Sequence, residues 1–221
     1  MTRPDIPIQL CCNPNNPYDW IGQLHNYQIW YVHVNYYDEI MSIEDQNERQ
    51  ARIKELINET AELFLNATVD LDVLDNVYGN PGLYSEIDFS TYADIFNHMD
   101  NLSQQDRATL ISFYDLLIPL PLDNYLDGMK ALIAATEFEN DFLSNNNNIN
   151  NLNVLGAIAV TKYSICTVFT QPDPHPAMKI KWWHVLADAV GGVIGGIAGG
   201  VVGALEGAAA GTEIYDLCTS N

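Results

Sequence analysis

Basic residues are scarce in this chain. Its 221 residues include 9 Lys and Arg against 29 Asp and Glu, a formal net charge of −20. So acidic a surface repels phosphate backbones, which excludes nucleic acid as an expected partner. It favours solubility and tolerates salt or cationic partners. Cysteine is sparse as well: Cys11, Cys12, Cys166 and Cys218. No C-x-x-C pair occurs, and the adjacent Cys11 and Cys12 have no zinc-binding spacing. A disulfide from either of them to Cys166 or Cys218 is open, while Cys166, in its apolar context, reads as a reduced buried thiol. The N-terminal stretch MTRPDIPIQLCCNPNNPYDW lacks a continuous apolar run, so no cleavable secretory signal is expected. The expectation is a protein that stays inside the cell or leaves by a signal-independent route.

Several chemistries lack their residues. Five histidines are present, His25, His33, His98, His175 and His184, and none falls in H-E-x-x-H or another metal spacing. His25 and His33 share part of a helix face, where packing is the ordinary role. Asp70, Asp72 and Asp75 are interleaved with Leu71, Val73 and Leu74 and lack the glycine and terminal Glu of an EF-hand. There is no G-x-S-x-G and no Gly-Lys-Ser or Gly-Lys-Thr. Carboxylates abound, yet no pair stands out as acid and base. An enzyme is therefore the weakest class, and no catalytic, metal or cofactor residue is assigned.

What is present is helix. Hydrophobic content is 48%, enough for a substantial core. Asn16, Pro17 and Asp19 suit the start of a helix over about 17–40. Its Trp20, Leu24, Tyr27, Tyr31 and Val34 recur at helical spacings and read as an aromatic core stripe. Ser42 with Asp45 predicts a cap for a helix over 43–66, amphipathic with Glu48, Arg52, Glu55, Glu59 and Glu62 on its polar side. Residues 67–84 break the period. Further helices are expected over about 85–98, from the Ser103–Asp106 box to 118, over 123–143 and over 152–170. The fold class is all-α: a helical body over 1–144, an asparagine-rich linker over 145–153 and a helical hairpin over 154–221.

The hairpin's second arm is expected to contain WWHVLADAVGGVIGGIAGGVVGALEGAAAGT, residues 182–212. Its glycines fall at 191, 195, 199, 203, 207 and 211, an unbroken spacing of four, with Gly192, Gly196 and Gly200 beside them. On one helix, Val190, Ile194, Ile197, Val201 and Leu205 share a face, and the glycines cluster opposite. That bare face admits a second backbone at close range, as small-xxx-small faces do. Nine interior glycines cost on the order of 8 kcal/mol of helix propensity relative to Ala, which close packing must offset. The bare face is expected to accept the preceding helix, which has a small-residue patch of its own at Gly156, Ala157 and Ala159. Ala189–Leu205 is uncharged over 17 residues, at the lower limit for crossing a bilayer. Lys179, Lys181, Trp182 and Trp183 stand at one end as interface anchors do, whereas Asp188 and the weakly apolar Gly and Ala oppose constitutive anchoring.

The run Gly191–Gly211 resembles the glycine zippers of bacterial membrane-associated proteins, pore-formers and bacteriocin-like peptides. Together with Asn-Pro-Tyr-Asp-Trp-Ile-Gly-Gln-Leu-His-Asn near the N-terminus and the Ala-Val-Thr-Lys-Tyr-Ser segment, it is similar to a group of uncharacterised bacterial helical proteins. Peptide bacteriocins lack so large an acidic body. The expectation is a non-enzymatic protein whose zipper, through Gly191, Gly195, Gly199, Gly203 and Gly207, mediates tight helix association. The setting would be self-association or conditional membrane insertion as an exported toxin or effector, with Lys179, Lys181, Trp182 and Trp183 at the bilayer surface. The alternative is a structural or protein-interaction module with the glycine-rich helix buried in its own core.

Overall fold

A computed structural model describes residues 11–65, 92–97, 99, 102–122, 124–145, 150–170, 182, 185–193, 195–196, 200, 203–204 and 207–208. Among them the protein is all-α, without strands. The helices are α1 (Asp19–Ser42), α2 (Gln46–Leu65), α3 (Tyr92–Asn97), α4 (Gln104–Leu117), α5 (Tyr125–Asn145) and α6 (Leu152–Thr170). The expected loop at 67–84 and the Ser85–Asp88 helix start lie outside the described residues.

Capping chemistry sets the helix ends. Ahead of α1, the Asn16 side chain accepts from the Tyr18 N–H at 2.8 Å and its carbonyl accepts from the Asp19 N–H at 3.2 Å. The α2 cap falls three residues later than expected. Asp45 Oδ1 accepts from the Glu48 N–H at 3.0 Å, while Ser42 Oγ turns back to the Glu39 carbonyl at 2.7 Å. The Ser103 cap of α4 is present, with Oγ accepting from the Asp106 N–H at 3.1 Å. Asn124, one residue beyond the expected Asp123, holds the first turn of α5 through the Leu126 N–H at 3.0 Å. Asn151 caps α6 by accepting from the Val154 N–H at 3.1 Å, and its amide also donates to Asp106 of α4. The end of the asparagine run thus acts as a helix cap.

Helix α6 is the centre of the packing, while α2 packs on α1 and α3 on α4. The central helix packs most extensively on α1, then on α5 and α4. A single buried cluster joins Leu110, Phe113 and Leu117 of α4, Leu132 and Ala135 of α5, Leu155, Ile158 and Ile165 of α6, and Val185, Leu186, Val190 and Val193. The asparagine run therefore does not divide the packing, because α6 lies inside the body expected to end before it. One glycine brings α1 this close: a Cβ on Gly22 would stand 2.6 Å from the Ala159 carbonyl carbon. The small-residue patch of α6, expected to receive the glycine-rich stretch, here receives α1.

Two further expectations are corrected. The buried face of α1 is Ile21, Gly22, His25, Gln28 and Val32, whereas Trp20, Tyr27 and Val34 are exposed. Helical spacing marks a face without saying which way it points, and Gly22 turns the opposite side toward α6. Cys166 is not a free thiol. It forms a disulfide with Cys11, with Cα atoms 6.2 Å apart across 155 residues of sequence, and leaves Cys12 free.

Candidate functional site

Ionisable side chains meet deep in the molecule around Lys162, the one charged residue of α6. Lys162 and Glu139 are both fully buried, with Nζ 2.7 Å from Glu139 Oε2 and 3.7 Å from Asp19 Oδ1. The N-terminal turn Asn13-Pro-Asn-Asn16 plugs this cluster. Asn13 Nδ2 donates to Glu139 Oε2 at 2.7 Å, and Asn16 Nδ2 donates to Oε1 at 2.6 Å and to the Leu155 carbonyl at 3.0 Å. Asp19 accepts from the Asn13 N–H and from Tyr163 Oη, each at 3.0 Å. Burial, with Asp19 beside it, pushes the Tyr163 phenol well above its ordinary range, and the same two causes raise the Cys12 thiol. Buried charges persist when paired and hydrogen-bonded, and Lys162 is paired here with Glu139 at 2.7 Å. Both Glu139 oxygens are engaged by protein donors. The cluster therefore fastens the N-terminal turn to α5 and α6, beside the Cys11–Cys166 bridge. Sequence reasoning passed over it, although a lone Lys in an apolar helix is itself a signal that a carboxylate must be buried opposite.

A second polar cluster links the glycine-rich segment to α1 and α6. Asp188 accepts from Ser164 Oγ at 2.8 Å and lies 3.8 Å from His25 Nε2. His25 Nδ1 meets Asn26 Oδ1 at 3.0 Å. Burial pulls the His25 pKa down from 6.5 to about 4, against the opposing help of Asn26 and the Ala208 main chain. Folded His25 is thus neutral where the unfolded chain would be protonated. Stability from this residue is complete above pH 6.5 and is lost as pH falls toward about 4. Between pH 7.5 and 4.5, urea unfolding should show about 2–3 kcal/mol more loss in the wild type than in His25→Gln. Equal losses would mean that the imidazole is not buried.

The glycines meet one another rather than a distant helix. A Cβ on Gly195 would fall on the Gly203 carbonyl, one on Gly203 would fall on the Gly195 carbonyl, and one on Gly207 would fall on the Gly191 carbonyl. In a straight helix, residues 195 and 203 would lie about 12 Å apart along the axis. The backbone therefore doubles back between them, and Gly200, at φ +64°, adopts the left-handed conformation that glycine tolerates. The reading of one straight helix through 182–212 gives way to this reversal. Upstream, Ser164 lies against Asp188, and a Cβ on Gly196 would contact Asn153 Oδ1 at 3.4 Å, so the segment meets α6 at both points. Gly199, Lys179, Lys181 and Trp183 lie outside the described residues. Trp182 is buried, and its Nε1 donates to the Leu120 carbonyl at 2.6 Å.

Among the described residues no group of three potential ligands could hold a metal ion, and no helix is long and apolar enough to cross a membrane. No protein-family model, no curated protein and no solved structure matches this chain.

Proposed function

We propose that this is a non-enzymatic interaction protein whose glycine-rich C-terminal segment works by tight helix association, folded as a hairpin with a glycine zipper inside its own helical body. The observation that carries this reading is the reciprocal seating of Gly195 and Gly203, with Gly207 seated on Gly191. Glycine spacing of this kind has a use only where main chain meets main chain, and here each partner of the contact lies in the same chain. The Cys11–Cys166 bridge suits an oxidising compartment and so fits a protein that acts outside the cytosol. Hydrogen exchange tests the closure. Amides of Val185–Val193 should exchange as slowly as those of α6, and exchange within seconds would overturn it.

The burial of His25 against the glycine-rich segment favours a second reading, in which closure is conditional, because an imidazolium formed there loses more hydration than the nearby Asp188 returns. Acid protonates His25 and weakens the attachment of the glycine-rich segment, which then opens toward a bilayer with Trp182, Trp183, Lys179 and Lys181 at the surface. The described stretch 185–193 would span only about 14 Å as a helix, short of the roughly 30 Å of a hydrocarbon core. Insertion thus requires the reversal at Gly200 to straighten. Flotation with liposomes should show no binding at pH 7.5, with dye leakage appearing near pH 4.5. Absence of leakage at both values leaves the closed interaction module as the function.

A further inference from the structure

Lys162 Nζ and Asn13 Nδ2 share one acceptor, each donating to Glu139 Oε2 at 2.7 Å. Lys162 and Glu139 are 0% exposed and Asn13 is 5% exposed, so an amine, a carboxylate and a primary amide meet away from water. The amide is held at both ends. Its Nδ2 also donates to Asn140 Oδ1 at 3.1 Å, and its Oδ1 accepts from the Asn15 N–H at 3.1 Å. A nucleophile, a proton carrier and a polarised carbonyl joined by hydrogen bonds are the parts of an acyl transfer. The usual competing reaction is closed off. An asparagine amide is attacked by the main-chain nitrogen that follows it only if that nitrogen carries a proton, and residue 14 is proline. Other acyl groups are less well placed. Asn16 pairs with the other carboxylate oxygen, Oε1, at 2.6 Å. Asp19 Oδ1 lies 3.7 Å from the amine, and an ionised carboxylate is a poor electrophile.

We propose that Lys162 and Asn13 join in an intramolecular isopeptide bond, with Glu139 carrying the protons. Lys162 gives a proton to Glu139, and the free amine attacks Asn13 Cγ. The Cγ–Nζ bond forms, and negative charge collects on Oδ1, which faces the Asn15 N–H. Glu139 passes its proton to Nδ2 and takes another from Nζ. The Cγ–Nδ2 bond breaks, ammonia departs and Glu139 ends protonated, so atoms and charge balance with no change of oxidation state. Removing both charges from a site without water favours the product. The newly folded chain carries the ion pair, and the aged chain carries the amide. The link ties the N-terminal turn to α6 beside the Cys11–Cys166 bridge, and unlike that bridge it survives reduction. This inference rests on neither reading of the glycine-rich segment.

The test is the intact mass of the whole protein, incubated folded at neutral pH and then reduced and denatured. The mass should fall about 17 Da below that of the sequence, the mass of one ammonia. Fragmentation should place the link between Asn13 and Lys162. Lys162→Arg keeps a cation beside Glu139 without a nucleophilic amine, Asn13→Ala removes the electrophile, and both should hold their full mass. Asn13→Asp starts about 1 Da heavier, loses about 18 Da as water and should arrive at the wild-type mass. Glu139→Gln should slow the loss at least tenfold. Full mass in the folded, incubated wild type would overturn the proposal. The same loss in Lys162→Arg or Asn13→Ala would mark an asparagine closing on its own main chain elsewhere and would overturn it too, as would a link at Asn16 or Asp19.

Discussion

Gly195→Ala should be the most damaging methyl addition in this protein. The new Cβ would coincide with the Gly203 carbonyl, and a Cβ at Gly195 also stands 3.2 Å from Gly207 Cα. These neighbours are main chain, so no side chain can rotate away. Alanine is worth about 1 kcal/mol more than glycine in a helix interior, and the collision must be set against that gain. Overpacking that displaces backbone sits at or above the upper end of the 1–3 kcal/mol range, and we expect a net loss of about 3 kcal/mol or more. For a chain of this size that lowers the Tm by roughly 6–12 °C. Two sister variants make the test specific. Gly192→Ala meets the Ala204 carbonyl oxygen at 3.3 Å and the Ala208 methyl at 3.4 Å, and should change stability by less than about 1 kcal/mol. Gly200→Ala has open space around it but a φ of +64°, and should cost about 1–2 kcal/mol through strain alone. The expected order of damage is Gly195, Gly200, Gly192. Were Gly195→Ala to melt with Gly192→Ala, the reversal of the chain at Gly200 would be refuted.

That order could not be read from the sequence, where all three positions belong to one glycine-rich run. The repeat announces close backbone approach but does not say which backbone approaches. An uninterrupted spacing of four reads as one helix, and the turn at Gly200 is invisible because glycine is both the repeat residue and the turn residue. By contrast, α4 and α6 were legible almost to the residue. Ser103 and Asp106 form a local cap, Pro119 follows the end of α4, and α6 is a long apolar run. Local rules of this kind depend on neighbours in sequence. The orientation of α1 was not legible for the opposite reason. Apolar residues occupy both of its faces, and only the distant Ala159 decides which one is buried. The disulfide escaped for a related reason, since Cys11 and Cys166 are brought together by contacts among Asn13, Asn16, Glu139 and Lys162. None of those four residues carries a recognisable motif.

Removing Glu139 should show how much depends on that cluster. Glu139→Leu would leave Lys162 fully buried, with Asp19 at 3.7 Å as its remaining anion and with Asn13 and Asn16 deprived of an acceptor. Breaking one side of a buried pair costs about 3–5 kcal/mol, because the surviving charge is uncompensated. Stabilities of single domains run to about 5–15 kcal/mol, so the variant should be partly unfolded at 37 °C. Glu139→Leu combined with Lys162→Met removes both charges and should recover a large share of the loss, as exchanging a buried pair for apolar side chains is often neutral or better. Full recovery is not expected, since each amide loses one of its two acceptors, Asn13 keeping Asn140 Oδ1 and Asn16 keeping the Leu155 carbonyl, at about 1–3 kcal/mol for each N–H left unsatisfied. Urea midpoints of the two single variants and the double variant close the cycle and isolate the coupling between the two charges. A single-variant loss below about 1 kcal/mol would place the pair in contact with water. The N-terminal turn would then be a peripheral attachment rather than the plug that joins α1, α5 and α6.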